Sequence, residues 1–322
     1  MFLTRSFSIV LCVLGSAFAP CLVGAATSPN FVLRSNDVVA FVGGSDVAAA
    51  QFAGHLETLL AVKFPGVRFR NFGWEGDTVF AQPRDFGFPP ISEHLKRAGA
   101  TVVFLEFARA ETLDSKRSVT NFSAAYEKLI NEIAKQTTRV ILVTPPPFES
   151  AAEPLPDLSL RNKDLAIYAN TVRALGQRHG LPVVDLYSEF LNASHGGQRL
   201  TDNGLQLTSR GYGLVAAAFA RRLGFGDVAA HTGELSLSGV WAHPEFEDLR
   251  AKVCEKNKLW FNYWRPQNWA FLGGDRVTQP SSHDHRNPKV RWFPAEMEKY
   301  VPLIREKEVE IEQAAAPLRD PK

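Results

Sequence analysis

The sequence predicts an α/β protein: a parallel sheet flanked by helices, followed by an aromatic and helical C-terminal extension. Three observations point there. Strand-like and helix-like segments alternate from residue 37 onward, the pattern of successive βα units. The strand-like segments are short and almost wholly apolar, as strands covered on both faces must be. Loops rich in Gly, Pro and Ser follow several of them, where open α/β sheets place their ligand sites.

The elements follow in order. Residues 38–42 form the first strand. A helix over 47–64 carries Phe52, Leu56, Leu59, Leu60 and Val62 on its apolar side and stops at Pro65-Gly66. Alternation over 67–72 gives the second strand, and 73–90 is a long Gly/Pro-rich loop. A short helix covers 91–98, and 101–107 is the third strand. A helix over 121–135 leads to the fourth strand, 140–143. The stretch "TPPPFESAAEPLPDLS" after it carries too many prolines for helix or central strand and is a loop. The helix over 162–179 ends at Gly180. Residues 182–186 are the fifth strand and 209–223 the last helix of the core. From about residue 229 the composition shifts: 231–238 is a polar linker, "LWFNYWRPQNWAF" (259–271) is dense in aromatics, and 297–313 is a charge-rich helix with Tyr300, Ile304 and Ile311 as a thin apolar stripe.

Composition narrows the function. The 322 residues are 45% hydrophobic and 22% charged, ordinary for a packed soluble protein. Lys and Arg number 36 against 34 Asp and Glu, a net charge of +2, too balanced for nucleic acid or an anionic membrane to be the main partner. The first 25 residues read as a signal peptide removed on export: a positive start ending at Arg5, an apolar run, then Val23-Gly24-Ala25 before the cut. The division expected is therefore a signal peptide at 1–25, a main domain at 26–228 and an extension at 229–322. Export takes Cys12 and Cys21 away and leaves Cys254 alone, so the mature fold rests on its core and not on an internal disulfide. A secreted or periplasmic location follows.

The chemistry lies in four loops. "VAFVGGSD" places Ser45 directly after a strand, the setting that exposes a nucleophilic hydroxyl at a turn. "RNFGWEGDT" supplies glycines after the second strand, "FLEFARAE" follows the third, and "LTDNGLQLTSRGY" precedes the last core helix. Together, and in this order over roughly residues 36–224, they resemble the blocks of the SGNH, or GDSL-type, hydrolase superfamily. The tail segments "KNKLWFNYWRPQN" and "PLIREKEVEIE" are similar to those of secreted bacterial GDSL-like proteins. The resemblance implies a flavodoxin-like three-layer α/β/α sandwich and hydrolysis of acyl esters. It puts the nucleophile at Ser45, an oxyanion glycine at Gly76 and the triad acid at Asp202. No cofactor or metal is implied, and the partner expected is a small-molecule or carbohydrate ester.

The same resemblance exposes four departures. Gly44 stands where the family has Asp, Ala108 where it has Gly, Ala110 where it has the oxyanion Asn, and Gln206 where it has the triad His. A serine hydroxyl needs a neighbouring base, which imidazole supplies near neutral pH and an amide cannot. Losing a triad member costs about 10⁴–10⁶ in rate, and one oxyanion donor about 10²–10³. His195, seven residues before Asp202, and His55 on the first helix are the two histidines considered as stand-ins.

Structural readings stand beside the functional ones. Ser45 or Asp46 serves as a helix N-cap, Gly73 and Gly76 as turn glycines, and Asp202 as a turn residue. Glu106 and Glu111, which flank the third block, are solvated or paired with Arg109 or Arg84 before either is catalytic. The run "SSHDHRN", with His283, Asp284 and His285, is a solvated loop before it is a metal site. The aromatic stretch packs the extension onto the core before it stacks on sugars. Two functions remain open: an esterase of impaired activity, and a non-catalytic binding protein on the same scaffold.

Overall fold

The computed structural model describes residues 32–82, 88–114, 118–192 and 199–319. Residues 1–25, read as a signal peptide, lie outside them. Five strands form one sheet in the order β2-β1-β3-β4-β5, every pairing parallel: β1 (Val38–Gly43), β2 (Arg68–Asn71), β3 (Val102–Glu106), β4 (Val140–Thr144) and β5 (Val183–Asp185). The order and the all-parallel pairing are those of a flavodoxin-like, doubly wound sheet. Because successive side chains in a strand point to opposite faces, Val39 and Phe104 fall into one apolar cluster and Ala40, Val42 and Leu105 into the other. The molecule is thus a three-layer α/β/α sandwich.

Helices α1 (Ser45–Ala53) and α2 (His55–Lys63) follow β1, where the sequence predicts one helix over 47–64. The break is Gly54, at φ 72 in the left-handed region that favours glycine. A Cβ there would lie 2.8 Å from Cys254 Sγ, so the extension packs against the break itself. The turn also carries Phe52 away from the core. It is 46% exposed, against the apolar-face expectation, with its ring edge on Phe261.

Next come α3 (Ile91–Ala98), α4 (Arg109–Leu113), α5 (Val119–Ala134), α6 (Asn162–His179), α7 (Leu186–Asn192), α8 (Ser209–Arg222) and α9 (Gly226–His231). Ser118 caps α5 by accepting from Asn121 N, and Thr208 caps α8 by accepting from Gly211 N.

The extension contains α10 (Pro244–Trp264), α11 (Ala270–Gly273), α12 (Trp292–Glu298) and α13 (Tyr300–Ala315). The 21-residue α10 is absent from the sequence reading, which registers only the aromatics near its end. Its buried residues Phe246, Leu249, Val253, Lys256, Trp260 and Trp264 recur at helical spacing. Phe246, Leu249 and Val253 join the cluster on one side of the sheet, and Trp260 and Trp264 the cluster on the other. Trp260 donates to Asn71 O at 2.8 Å, bonding the extension to edge strand β2. The charge-rich helix begins at Tyr300 and buries Ile304 and Ile311 of the expected stripe. No described helix is long and apolar enough to cross a membrane.

Candidate active site

The carboxyl ends of β1 and β3 meet at Gly43, whose ladder neighbour is Glu106. The chain leaves β1 through Gly44 and enters α1 at Ser45. A Cβ on Gly44 would lie 2.8 Å from Asp77 O, so the loop after β2 presses on this turn and excludes the Asp that the family pattern expects. Gly44, not Ser45, is the N-cap residue, and no side chain caps α1; the N-cap reading of Ser45 is therefore corrected. Ser45 is exposed. It opens into a cleft of about 370 Å³ shared with Glu106, Ala110, Asn203, Gln206 and Tyr212.

The structure thus gathers three of the five expected positions, Ser45, Ala110 and Gln206, around one cleft. Gly76 lies beside it at φ 83, exposed and with no atom within 4 Å of a built Cβ, between the cleft residues Glu75 and Asp77. Asp202 is exposed and is not among the cleft residues. Its N–H donates to Gln206 O at 2.9 Å, but among the described residues its carboxylate has no hydrogen bond or ion pair. The turn is made by its neighbour: Asn203 Oδ1 accepts from Leu205 N and Gln206 N at 3.0 and 2.7 Å, an Asx-type turn. Glu149 anchors the loop from below, accepting from Leu200 N, Thr201 N and Thr201 Oγ1.

Beneath the serine lies an ion pair that the sequence reading missed. Arg109, 5% exposed, donates to both Asp46 oxygens at 3.0 Å, and its guanidinium lies 5.0 Å from the centre of the Phe148 ring. Of the two structural readings, pairing with Arg109 is not the one found, since Arg109 pairs with neither Glu106 nor Glu111; Arg84 lies outside the described residues. The signal available in the sequence was Asp46 directly after Ser45, but its partner comes from the end of β3 and depends on strand register. Tyr212, on α8, closes the same corner by donating its hydroxyl to Asp46 O at 3.0 Å, and burial pushes its phenol well above the usual tyrosine range.

Glu111 is structural. Its two oxygens accept from Val79 N at 2.7 Å and Ala108 N at 2.9 Å. Burial raises its carboxyl above the usual range, while those backbone bonds pull the other way. They hold Ala108 at φ 132, a conformation suited to the glycine that the family places there.

Glu106 differs: among the described residues its carboxyl has no hydrogen bond or ion pair. Burial first, then the Asp46 carboxylate, push it up to about 8, with Arg109 opposing.

Neither stand-in histidine is seen in the cleft. His195 lies outside the described residues. His55 is 1% exposed, with Nε2 2.8 Å from Gly239 O and its ring edge on Trp241. Burial lowers it to about 4, so it is neutral and Nε2–H donates. Among the described residues no group of three or more His, Cys, Asp or Glu side chains is arranged to hold a metal ion.

A five-stranded, all-parallel, doubly wound sheet with a serine at the end of its first strand and a cleft beyond its carboxyl edge is the three-layer α/β/α architecture of the SGNH hydrolases. The chain belongs to the GDSL-like lipase/acylhydrolase family, whose model matches residues 40–214. A search of curated proteins returned no match. Among solved structures, a catalytic mutant of the acetylxylan esterase Axe2 from Geobacillus stearothermophilus is similar, with 18% identity over 60% of this chain and 96% of that one and a TM-score of 0.46. The lipase/acylhydrolase from Enterococcus faecalis shows 23% identity over 61% and 96%, with a TM-score of 0.43. A hydrolase from the metagenome of Lake Arreo shows 19% over 60% and 98%, with a TM-score of 0.46.

Proposed function

We propose that this chain is an exported family member whose cleft accepts an acyl ester, of a small molecule or a carbohydrate, while serine–imidazole turnover is lost. The observation that carries the reading is the company Ser45 keeps. Gln206 occupies the cleft where an imidazole is needed, and no described histidine lines it. Ala110 gives no amide to the oxyanion, and among the described residues Asp202 has no imidazole to orient. The surviving parts serve binding: a cleft of about 370 Å³, the exposed Ser45 hydroxyl and the backbone of the loop around Gly76. Export rests on the leader-like first 25 residues.

The test is hydrolysis of p-nitrophenyl acetate at pH 7 by the mature chain, beside Ser45→Ala and Gln206→His. Wild-type turnover is expected about 10⁴–10⁶ below that of a complete triad. Gln206→His is expected to raise it in a manner that a second change, Ser45→Ala, removes. A wild-type rate at triad speed that vanishes in Ser45→Ala would sink the reading. A purely non-catalytic binding protein is favoured by the four motif departures together; it requires that no Ser45-dependent turnover exist at any pH.

A further inference from the structure

We propose that Glu106 is the proton-transfer group of this cleft, serving the Ser45 hydroxyl in place of the imidazole that position 206 lacks. The inference rests on the reading that the cleft still accepts an ester, and it assigns the residual chemistry there.

Glu106 ends β3 beside Gly43 in the ladder, so its backbone is fixed two residues from Ser45 in the chain leaving β1. Both residues line the cleft. Glu106, Asp46 and Tyr212 also line a smaller cavity of about 60 Å³ behind it, so these three side chains form the wall between the two spaces.

Among the described residues the Glu106 carboxyl has no structural partner. Asp46 is bound by Arg109, Glu111 by two backbone N–H groups, Glu75 by Arg265 and Glu149 by the loop at Leu200 and Thr201. Among the described residues Glu106 is bound by nothing. A half-buried acid at a strand end costs desolvation, and among the described residues no hydrogen bond or ion pair offsets it.

The charged and titratable groups around it explain its proton affinity. Asp46 faces it from α1, Arg109 from α4, Tyr212 from α8 and Tyr126 from α5. Arg109 is committed to both oxygens of Asp46, so burial and the Asp46 charge prevail and hold Glu106 at about 8. A proton-transfer group works best with a pKa near the working pH, and tuned carboxyls of this kind mark acid–base sites.

The steps balance. Ionised Glu106 takes the Ser45 Oγ proton as Oγ bonds to the ester carbonyl carbon. The N–H groups of the first turn of α1, which have no intrahelical acceptor, are the donors available to the developing oxyanion. The bond to the alcohol oxygen breaks and Glu106 returns the proton to that oxygen. Water then adds to the acyl-Ser45 carbon, giving a proton to Glu106, which passes it to Oγ as Ser45 leaves. The products are the carboxylic acid and the alcohol.

The experiment follows p-nitrophenyl acetate hydrolysis by the mature chain from pH 6 to 10, with hydrolysis by buffer subtracted. About one-tenth of Glu106 is ionised at pH 7, so the rate is expected to rise about tenfold from pH 7 upward and level off above about pH 9. Glu106→Gln should remove this rise at every pH while circular dichroism and the melting temperature show a folded chain. Glu106→Asp should keep part of the rate with a displaced midpoint, and Ser45→Ala should abolish both rate and acyl-enzyme mass. An undiminished rate in Glu106→Gln, or a rate with no rise near pH 8, overturns the proposal. Absence of turnover above buffer at every pH also overturns it but leaves the binding reading intact. Full triad-speed turnover at pH 7, indifferent to Glu106→Gln, sinks both.

Discussion

Ala108 holds a backbone conformation that suits glycine better than any L residue. At φ 132 it is a non-glycine residue in a region where L side chains are strained by about 1–3 kcal/mol. Glu111 over-determines the position through its bond to Ala108 N, and Thr112 Oγ1 adds one to Ala108 O at 2.7 Å. Ala108→Gly removes the strain and gives back part of it in chain entropy and in the buried methyl, for a net gain of up to about 1 kcal/mol. A thermal melt should show a rise of about 2 °C; a fall would mean that the Cβ is comfortable there. This position was legible in the sequence because the motif spans few residues and its backbone demand is local. Ser45 and Gln206 were legible for the same reason. The Asp46–Arg109 pair was not, since 63 residues separate its members and only the register of β1 on β3 brings them together. Glu106 shows the same limit: its place beside the third block could be read, but its lack of a partner among the described residues is a property of the folded cleft.

At the scale of elements, α10 is where sequence reasoning fell short, and the cause is physical. Lys256 occupies an inward position among apolar neighbours, and a lysine in a periodic pattern ordinarily marks the wet face. Here it is 1% exposed, with its ammonium 2.6 Å from Glu57 on α2 and hydrogen-bonded to Phe69 O and Asn257 Oδ1. Burial lowers its pKa and the Glu57 carboxylate opposes that. Such a pair is costly to form and costlier to break. Lys256→Ala leaves Glu57 buried without its cation and should cost about 3–5 kcal/mol in urea unfolding. Glu57→Leu combined with Lys256→Met removes both charges and should recover most of that loss. A double variant no better than Lys256→Ala would show that the packing around α10, and not the uncompensated charge, sets the cost. The strands of the core needed no such insight. Runs such as "VVFLE" and "VILVT" are buried nearly throughout, and an apolar run has few other places to go.

Over the whole molecule, the extension and the core share one pH response through His55. This histidine on α2 is buried against Gly239 and Trp241, both beyond the last core helix, and is held at about 4 instead of its ordinary 6.5. Between those values the unfolded chain binds a proton that the folded chain refuses. Stability contributed by His55 is therefore present above pH 6.5 and lost as pH falls toward 4, with a slope of up to about 1.4 kcal/mol per pH unit. Glu106 and Glu111 act oppositely: their folded pKa values are raised, so what they contribute is lost as pH rises above the ordinary carboxylate range. In the window between pH 4.5 and 6.5 the two effects compete, and the wild-type profile alone does not separate them. Comparison with His55→Gln does, because the amide can still donate to Gly239 O but takes up no proton. Urea unfolding of both proteins at pH 7, 6 and 5 should show the gap between them narrowing as pH falls, since only the wild type pays to exclude a proton. A gap constant across the three pH values would mean that His55 takes up its proton as readily in the folded chain as in the unfolded one, and that its burial against Gly239 and Trp241 sets no pH response.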